Sequence, residues 1–237
     1  MAPANNGSPV SPSSSGVTLA GTLAERLREE ITGGRLTPGT KLHLEDLKET
    51  FGVSLSPLRE ALSRLSGEGF VVMQGQRGYS VAPISEANLR EVTTLRMETE
   101  TFALRQAIAL GDRNWEGRVV AALHRLNSLS ATSKRKSRAE EIEEWEREHR
   151  SFHLALISAC DMPLLLQFCT TLHDLSDRYR RLFLQNNPTD RNVHQEHAAI
   201  SQATISRHSD KAANLLRKHI ERTGTNVLKN LTKSGGA

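Results

Sequence analysis

The sequence predicts a mainly α protein, with a small helix-and-hairpin unit followed by an all-α bundle. Three observations carry this. Aromatics are only 4% of the 237 residues, too few for a sandwich or barrel and in keeping with Leu/Ala-rich helices. Apolar residues recur at i, i+4 over most of the chain. Short β-like runs occur only on either side of Gly75-Gln76-Arg77-Gly78.

Taken in order, residues 1–17 are rich in Ser, Pro, Asn and Gly and read as a disordered tail. The tail has neither the basic start nor the apolar stretch of a signal peptide. From Thr18, Leu19, Leu23, Leu27 and Ile31 mark a first helix, and Gly33-Gly34 stops it. Pro38-Gly39 makes a turn. Leu44 to Phe51 is a second helix, closed by Gly52. Ser54 or Ser56 caps a third, with Pro57 in its first turn. Leu58, Ala61, Leu62 and Leu65 form its buried face, and Gly69 ends it. Phe70 to Gln74 and Tyr79 to Ala82 form a hairpin, which Pro83 closes. From Glu86 the reading is all helix, at 86–110, 114–131, 139–160, 163–185, 190–207 and 209–231. The chain thus divides into units at 18–83 and 86–231, the second an α-bundle.

No run approaches 18 apolar residues, so no membrane span is predicted. The two cysteines, Cys160 and Cys169, make no disulfide framework, and a reducing cytoplasm is the simpler setting. The net charge of +4 hints at a polyanionic partner. Yet residues 1–85 carry eight Lys/Arg and eight Asp/Glu, so the surplus lies wholly in the bundle.

A nucleic-acid reading must therefore rest on placed residues. Three helices and a hairpin within 18–83 describe a winged helix-turn-helix, a reader of double-stranded DNA. Its third helix would enter the major groove with Ser54, Ser56 and Arg59 near the base edges. Arg59 can grip guanine O6 and N7 with two hydrogen bonds. Arg77, at the hairpin tip, would reach a phosphate or the minor groove. The plainer alternative is that these are solvated surface residues, as Arg64 is read to be.

In the bundle, His149 and His153 are four apart and share a face with Trp145, Phe152, Leu156 and Cys160. His197 sits with Ile200 and Thr204, and His219 with Leu215, Leu216 and Ile220. Four inward histidines on three helices could converge on one metal ion. Each alone also reads as an ordinary core residue. His43, His124, His173, His194 and His208 read as surface or packing residues. For Arg96 and Glu100, one turn apart, the plainer alternative is a surface ion pair.

Residues 51–62, Phe-Gly-Val-Ser-Leu-Ser-Pro-Leu-Arg-Glu-Ala-Leu, followed by Glu68-Gly69-Phe70 and Arg77-Gly78-Tyr79-Ser80-Val81, resemble the GntR family of bacterial transcription regulators. The resemblance implies base contacts at Ser56 and Arg59 and wing contacts at Gly75 and Gln76. Leu55 and Glu45 stand where family members often carry Arg. Residues 86–228 resemble the FCD effector domain of the FadR subfamily, through His149 to His153, Glu196 to Ile200, and Leu216 to Ile220. That domain implies a divalent metal held by an Asp-x-x-x-His pair and two later histidines. Here His149 replaces the Asp. An all-imidazole set favours Zn²⁺ or Ni²⁺ over harder ions. The resemblance further implies a homodimer on a palindromic operator and a small carboxylate effector. Arg96 matches a family arginine suited to that carboxylate, and Arg178 is a second candidate pocket residue.

A metal-assisted hydrolase is the rival reading, since His149 and His153 have the spacing of the HExxH motif. Arg150 replaces the general-base Glu of that motif, so the chemistry lacks its base. Glu146-x-x-His149 imitates half of a di-iron carboxylate site, with no second half. The expectation is a metabolite-responsive repressor and no enzyme.

Overall fold

The computed structural model describes residues 18–75, 78–129, 137–186 and 192–234. The predicted tail lies outside them, as do Gln76 and Arg77 at the hairpin tip. Helix α1 (Leu19–Thr32) is capped by Thr18, whose hydroxyl accepts from the Gly21 N–H. It buries Ala20, Leu23, Ala24, Leu27 and Ile31. Strand β1 (Lys41–Leu42) precedes α2 (Leu44–Phe51). Gly52 ends α2 at φ 63°, the left-handed turn that glycine takes without strain. Helix α3 (Leu55–Gly67) buries the four predicted residues Leu58, Ala61, Leu62 and Leu65. Strands β2 (Val71–Met73) and β3 (Tyr79–Val81) form the hairpin.

The sheet is antiparallel in the order β1-β3-β2, with Lys41 opposite Ser80 and Val71 opposite Val81. The sequence reading contains no β1. Two residues carry no period, and the strand exists only through its pairing with β3. The cap of α3 also differs in detail. Ser54 holds the N-cap position, but its hydroxyl makes no capping bond, and Ser56 lies inside the helix.

The bundle comprises α4 (Glu86–Leu110), α5 (Arg113–Ser128), α6 (Arg138–Ile157), α7 (Pro163–Asn186), α8 (Val193–Ile205) and α9 (Ser209–Ser234). All six predicted helices are present. Ser85 and Asp112 cap α4 and α5, and Ser137 with Glu140 forms a capping box on α6. Helix α4 is central and packs on α9, α7 and α6. Leu104, Trp115, Leu126, Phe152, Leu156, Ile200 and Leu216 build the bundle core. None of the described helices is long and apolar enough to cross a membrane.

The two units are not separate bodies. Val92 of α4 and Leu175 of α7 belong to the core of the N-terminal unit. At the junction, the Tyr179 hydroxyl donates to Asn88 Oδ1 at 2.8 Å, and it accepts from the Ser85 N–H at 3.3 Å. Every residue from Leu172 to Arg180 is buried, polar ones included. A surface helix would show a single buried stripe. This stretch of α7 is instead covered on all sides, by the N-terminal unit on one and the bundle interior on the other.

Candidate metal and effector site

The interior of the bundle holds a chamber of imidazoles. Helix α6 brings His149 and His153, with ring centroids 4.5 Å apart. His197 of α8 and His219 of α9 stand 4.7 Å apart. One ligand atom from each of the four lies within 4.8 Å of the others, and all four residues are buried. The structure thus brings together the four histidines picked out in the sequence. His197 Nε2 faces His219 Nε2 at 3.3 Å. Trp145 stacks on His149 at 4.6 Å, and Phe152 flanks His197 at 5.1 Å, so the chamber has an aromatic wall.

Carboxylates stand behind two of the rings. His219 Nδ1 lies 2.8 Å from Glu196 Oε2, and His153 Nδ1 lies 3.4 Å from Glu100 Oε2. A carboxylate on one ring nitrogen orients the imidazole and raises the basicity of the other. Burial pushes His149, His197 and His219 well below the ordinary histidine range, and neighbouring charges, Arg180 among them, push the same way. His153 is also lowered by burial, against the pull of Glu100. Neutral imidazoles are what a metal ion requires. His149 Nδ1, His153 Nε2 and His197 Nδ1 are buried without a hydrogen-bond partner. Orphaned nitrogens are costly in a packed core, and an ion would satisfy them. The donor set fits Zn²⁺ or Ni²⁺.

Arg96 is buried, which removes the alternative of a surface pair with Glu100. Its Nε donates to Glu100 Oε1 at 2.6 Å and its Nη1 to Ser176 Oγ at 2.9 Å, while Nη2 has no partner. Burial works against the Glu100 carboxylate, but Arg96 and His153 outweigh it and hold Glu100 well below the usual range. Arg178 does not reach the imidazoles. It donates to the Ala82 carbonyl at the junction between the units, which corrects its assignment to the effector pocket. Consecutive α7 side chains point about 100° apart, so only part of the arginine run can face inward. Arg180 is the member that does. It pairs with Glu146 and Asp177 and leaves Nη1 unpartnered.

The sequence pattern marks His173 as a surface or packing residue, yet it lines the same chamber, 5.3 Å from His153 and 5.7 Å from His149. The hydrolase constellation does not form. Arg150 pairs with Asp174, and Glu146 is held by Arg180. Neither cysteine belongs to a ligand cluster among the described residues, and burial raises the Cys169 thiol to about 12.

On the N-terminal unit, Ser54, Ser56 and Arg59 are exposed at the start of α3. Arg64, by contrast, is tied to Glu68 at 3.1 Å. Gly75 is exposed in the hairpin at φ 55°, a turn suited to glycine. The open start of α3 leaves helix N–H groups and a serine hydroxyl facing outward, as an anion site requires.

Comparison with known proteins decides the family. The FCD domain profile matches residues 91–222, and that of bacterial regulatory proteins of the gntR family matches residues 19–81. The chain belongs to the GntR family. This GntR chain is 41% identical to the uncharacterized HTH-type transcriptional regulator BphR of Paraburkholderia xenovorans, over 83% of its own length and 80% of the relative's. It is 32% identical to the HTH-type transcriptional repressor GlaR of Escherichia coli, over 82% and 89%. The E. coli McbR/YncC structure superposes with a TM-score of 0.77 at 21% identity, covering 91% of this chain and 99% of that one, and so supports the fold. This GntR-family chain is a transcription regulator and not an enzyme.

Proposed function

We propose that this GntR regulator is a metabolite-responsive repressor that binds a palindromic DNA operator as a homodimer in the cytoplasm. Its effector is a small carboxylate. One end meets a divalent ion, Zn²⁺ or Ni²⁺, held by His149, His153, His197 and His219. The other end meets Arg96. The observation that carries this is the chamber itself, with four buried convergent imidazoles and a buried guanidinium with a free Nη. The relative named as a repressor, GlaR, favours that sign of regulation. On the DNA, Ser54, Ser56 and Arg59 read the major groove, and the wing at Gly75, Gln76 and Arg77 adds flanking contacts. The effector acts by binding the DNA-competent and DNA-incompetent dimers with different affinity.

The test is a thermal-shift screen of small carboxylates on ion-loaded and chelator-treated protein, followed by operator release. A true effector raises the melting temperature of the loaded protein by mass action and frees the operator. Chelation or His153→Ala abolishes both effects and leaves DNA binding intact. A carboxylate response indifferent to chelation would refute the ion's part.

A further inference from the structure

His173 of α7 has no task in the four-imidazole reading, on which the following rests. The residue is 1% exposed, and neither ring nitrogen has a hydrogen bond of good geometry. Among the four rings, centroid separations run from 4.5 to 6.1 Å. His173, at 5.3 and 5.7 Å from two of them, belongs to the group by position. Its Nδ1 stands 3.2 Å from Asp177 Oδ1. The same device backs His153 with Glu100 and His219 with Glu196. In each case the carboxylate favours the proton on Nδ1 and leaves the Nε2 lone pair free. As mere packing, His173 is a poor choice, because a leucine fills similar space and buries no orphan nitrogen.

His173 could also look the other way, since it clusters with Asp174 and Asp177 as a second cation-sized set. Arg150 and Arg180 already occupy those two carboxylates. A cation there would meet two guanidiniums. The useful side of His173 is therefore the chamber.

Coordination chemistry adds a requirement. Four imidazoles already fill the usual tetrahedral shell of Zn²⁺, so an effector oxygen would have to enter as an added fifth ligand. A six-coordinate ion with five nitrogens keeps one position open. We propose that His173 Nε2 is the fifth nitrogen ligand of this centre. The four-atom set forms without it, so a movement of the His173 ring that swings Nε2 toward the four while Nδ1 stays beside Asp177 completes the five. The centre then favours Ni²⁺ or Co²⁺ over tetrahedral Zn²⁺, and α7 carries a ligand alongside α6, α8 and α9.

The experiment loads full-length wild type, His173→Gln and His173→Ala with Co²⁺ or Ni²⁺ alone. It reads visible d–d absorption and ion affinity by chelator competition. The expected wild-type Co²⁺ spectrum is the weak one of a six-coordinate ion. Both variants should give the more intense bands of lower coordination and lose at least about tenfold in Ni²⁺ affinity. Circular dichroism of the ion-free variants identifies a folding failure, and His173→Gln, which keeps hydrogen-bonding capacity, then decides. Identical spectra and affinities in wild type and His173→Gln would overturn the role of His173 alone. A wild type that binds neither ion would overturn the four-imidazole reading and this one with it.

Discussion

Arg59 is exposed on the first turns of α3 and, unlike Arg64, has no ion-pair partner among the described residues. A side chain placed to grip a base edge is worth about 1–3 kcal/mol of binding. Arg59→Ala should therefore weaken operator binding about tenfold or more at fixed salt, with an unchanged melting temperature. Unaltered affinity would remove α3 from the reading role. At this scale the sequence disclosed a great deal. The His149/His153 pair was legible because a four-residue spacing among apolar neighbours has few other readings. For Arg96 and Glu100 the surface alternative stayed open, because their spacing is the same in solvent and in a core. Only the neighbours from α6 and α7 distinguish the two, and those are remote in sequence. His173 failed for a related reason. The polar residues around it on α7 signal an exposed face, whereas they are paired within the fold.

The helices of the bundle were legible from apolar recurrence and caps, and their ends moved by only a few residues. The way they cross was not. Helices α4 and α9 meet closely at Gly224, where an added Cβ would lie 2.6 Å from Thr93 Cγ2 and 2.7 Å from its Oγ1. Thr93 cannot easily yield, because its hydroxyl donates to the Leu89 carbonyl at 2.7 Å and its side chain is β-branched. Gly224→Ala gains about 1 kcal/mol in helix propensity and loses about 1–3 kcal/mol to overpacking. A net fall in melting temperature is expected, and Thr93→Ala in the same chain should relieve it. If Gly224→Ala raised the melting temperature with Thr93 in place, the crossing would be looser than described. In the sequence, Gly224 looks like any weak helix former, because the residue it must admit lies on another helix.

Two properties belong to the molecule as a whole. The first is its response to acid. His149, His173, His197 and His219 are held well below 6.5 by burial, and His153 is lowered too. The unfolded chain therefore takes up protons below about pH 6.5 that the fold excludes. Ion-free protein keeps this stability above that pH and loses it as pH falls, by up to about 1.4 kcal/mol per unit for each histidine. Glu146 and Asp174, both raised by burial, oppose the trend, because the fold takes up their protons at a higher pH than the unfolded chain does. Melting temperatures of chelator-treated protein should drop steeply from about pH 6.5 to about pH 5. A flat profile would mean that the rings are open to water. The second property is charge. Residues 1–85 sum to zero, so operator affinity should fall only gently with salt, as a few positioned contacts imply. A steep slope would show that the basic bundle also touches DNA.

The covering of α7 on every side between Leu172 and Arg180 bears on which mutations the chain can tolerate. Most helices keep a free face, and intolerance to substitution recurs along them every three or four positions. From Leu172 to Arg180 no such face exists, since Leu175 and Arg178 serve the N-terminal unit while His173, Ser176 and Arg180 serve the chamber. A saturation scan of operator repression should find an unbroken run of sensitive positions there, against a periodic pattern in α5. Variation is then confined to one step at a time on a segment that answers to two functions. Relatives that take a different effector would have to change α7 without disturbing their hold on DNA.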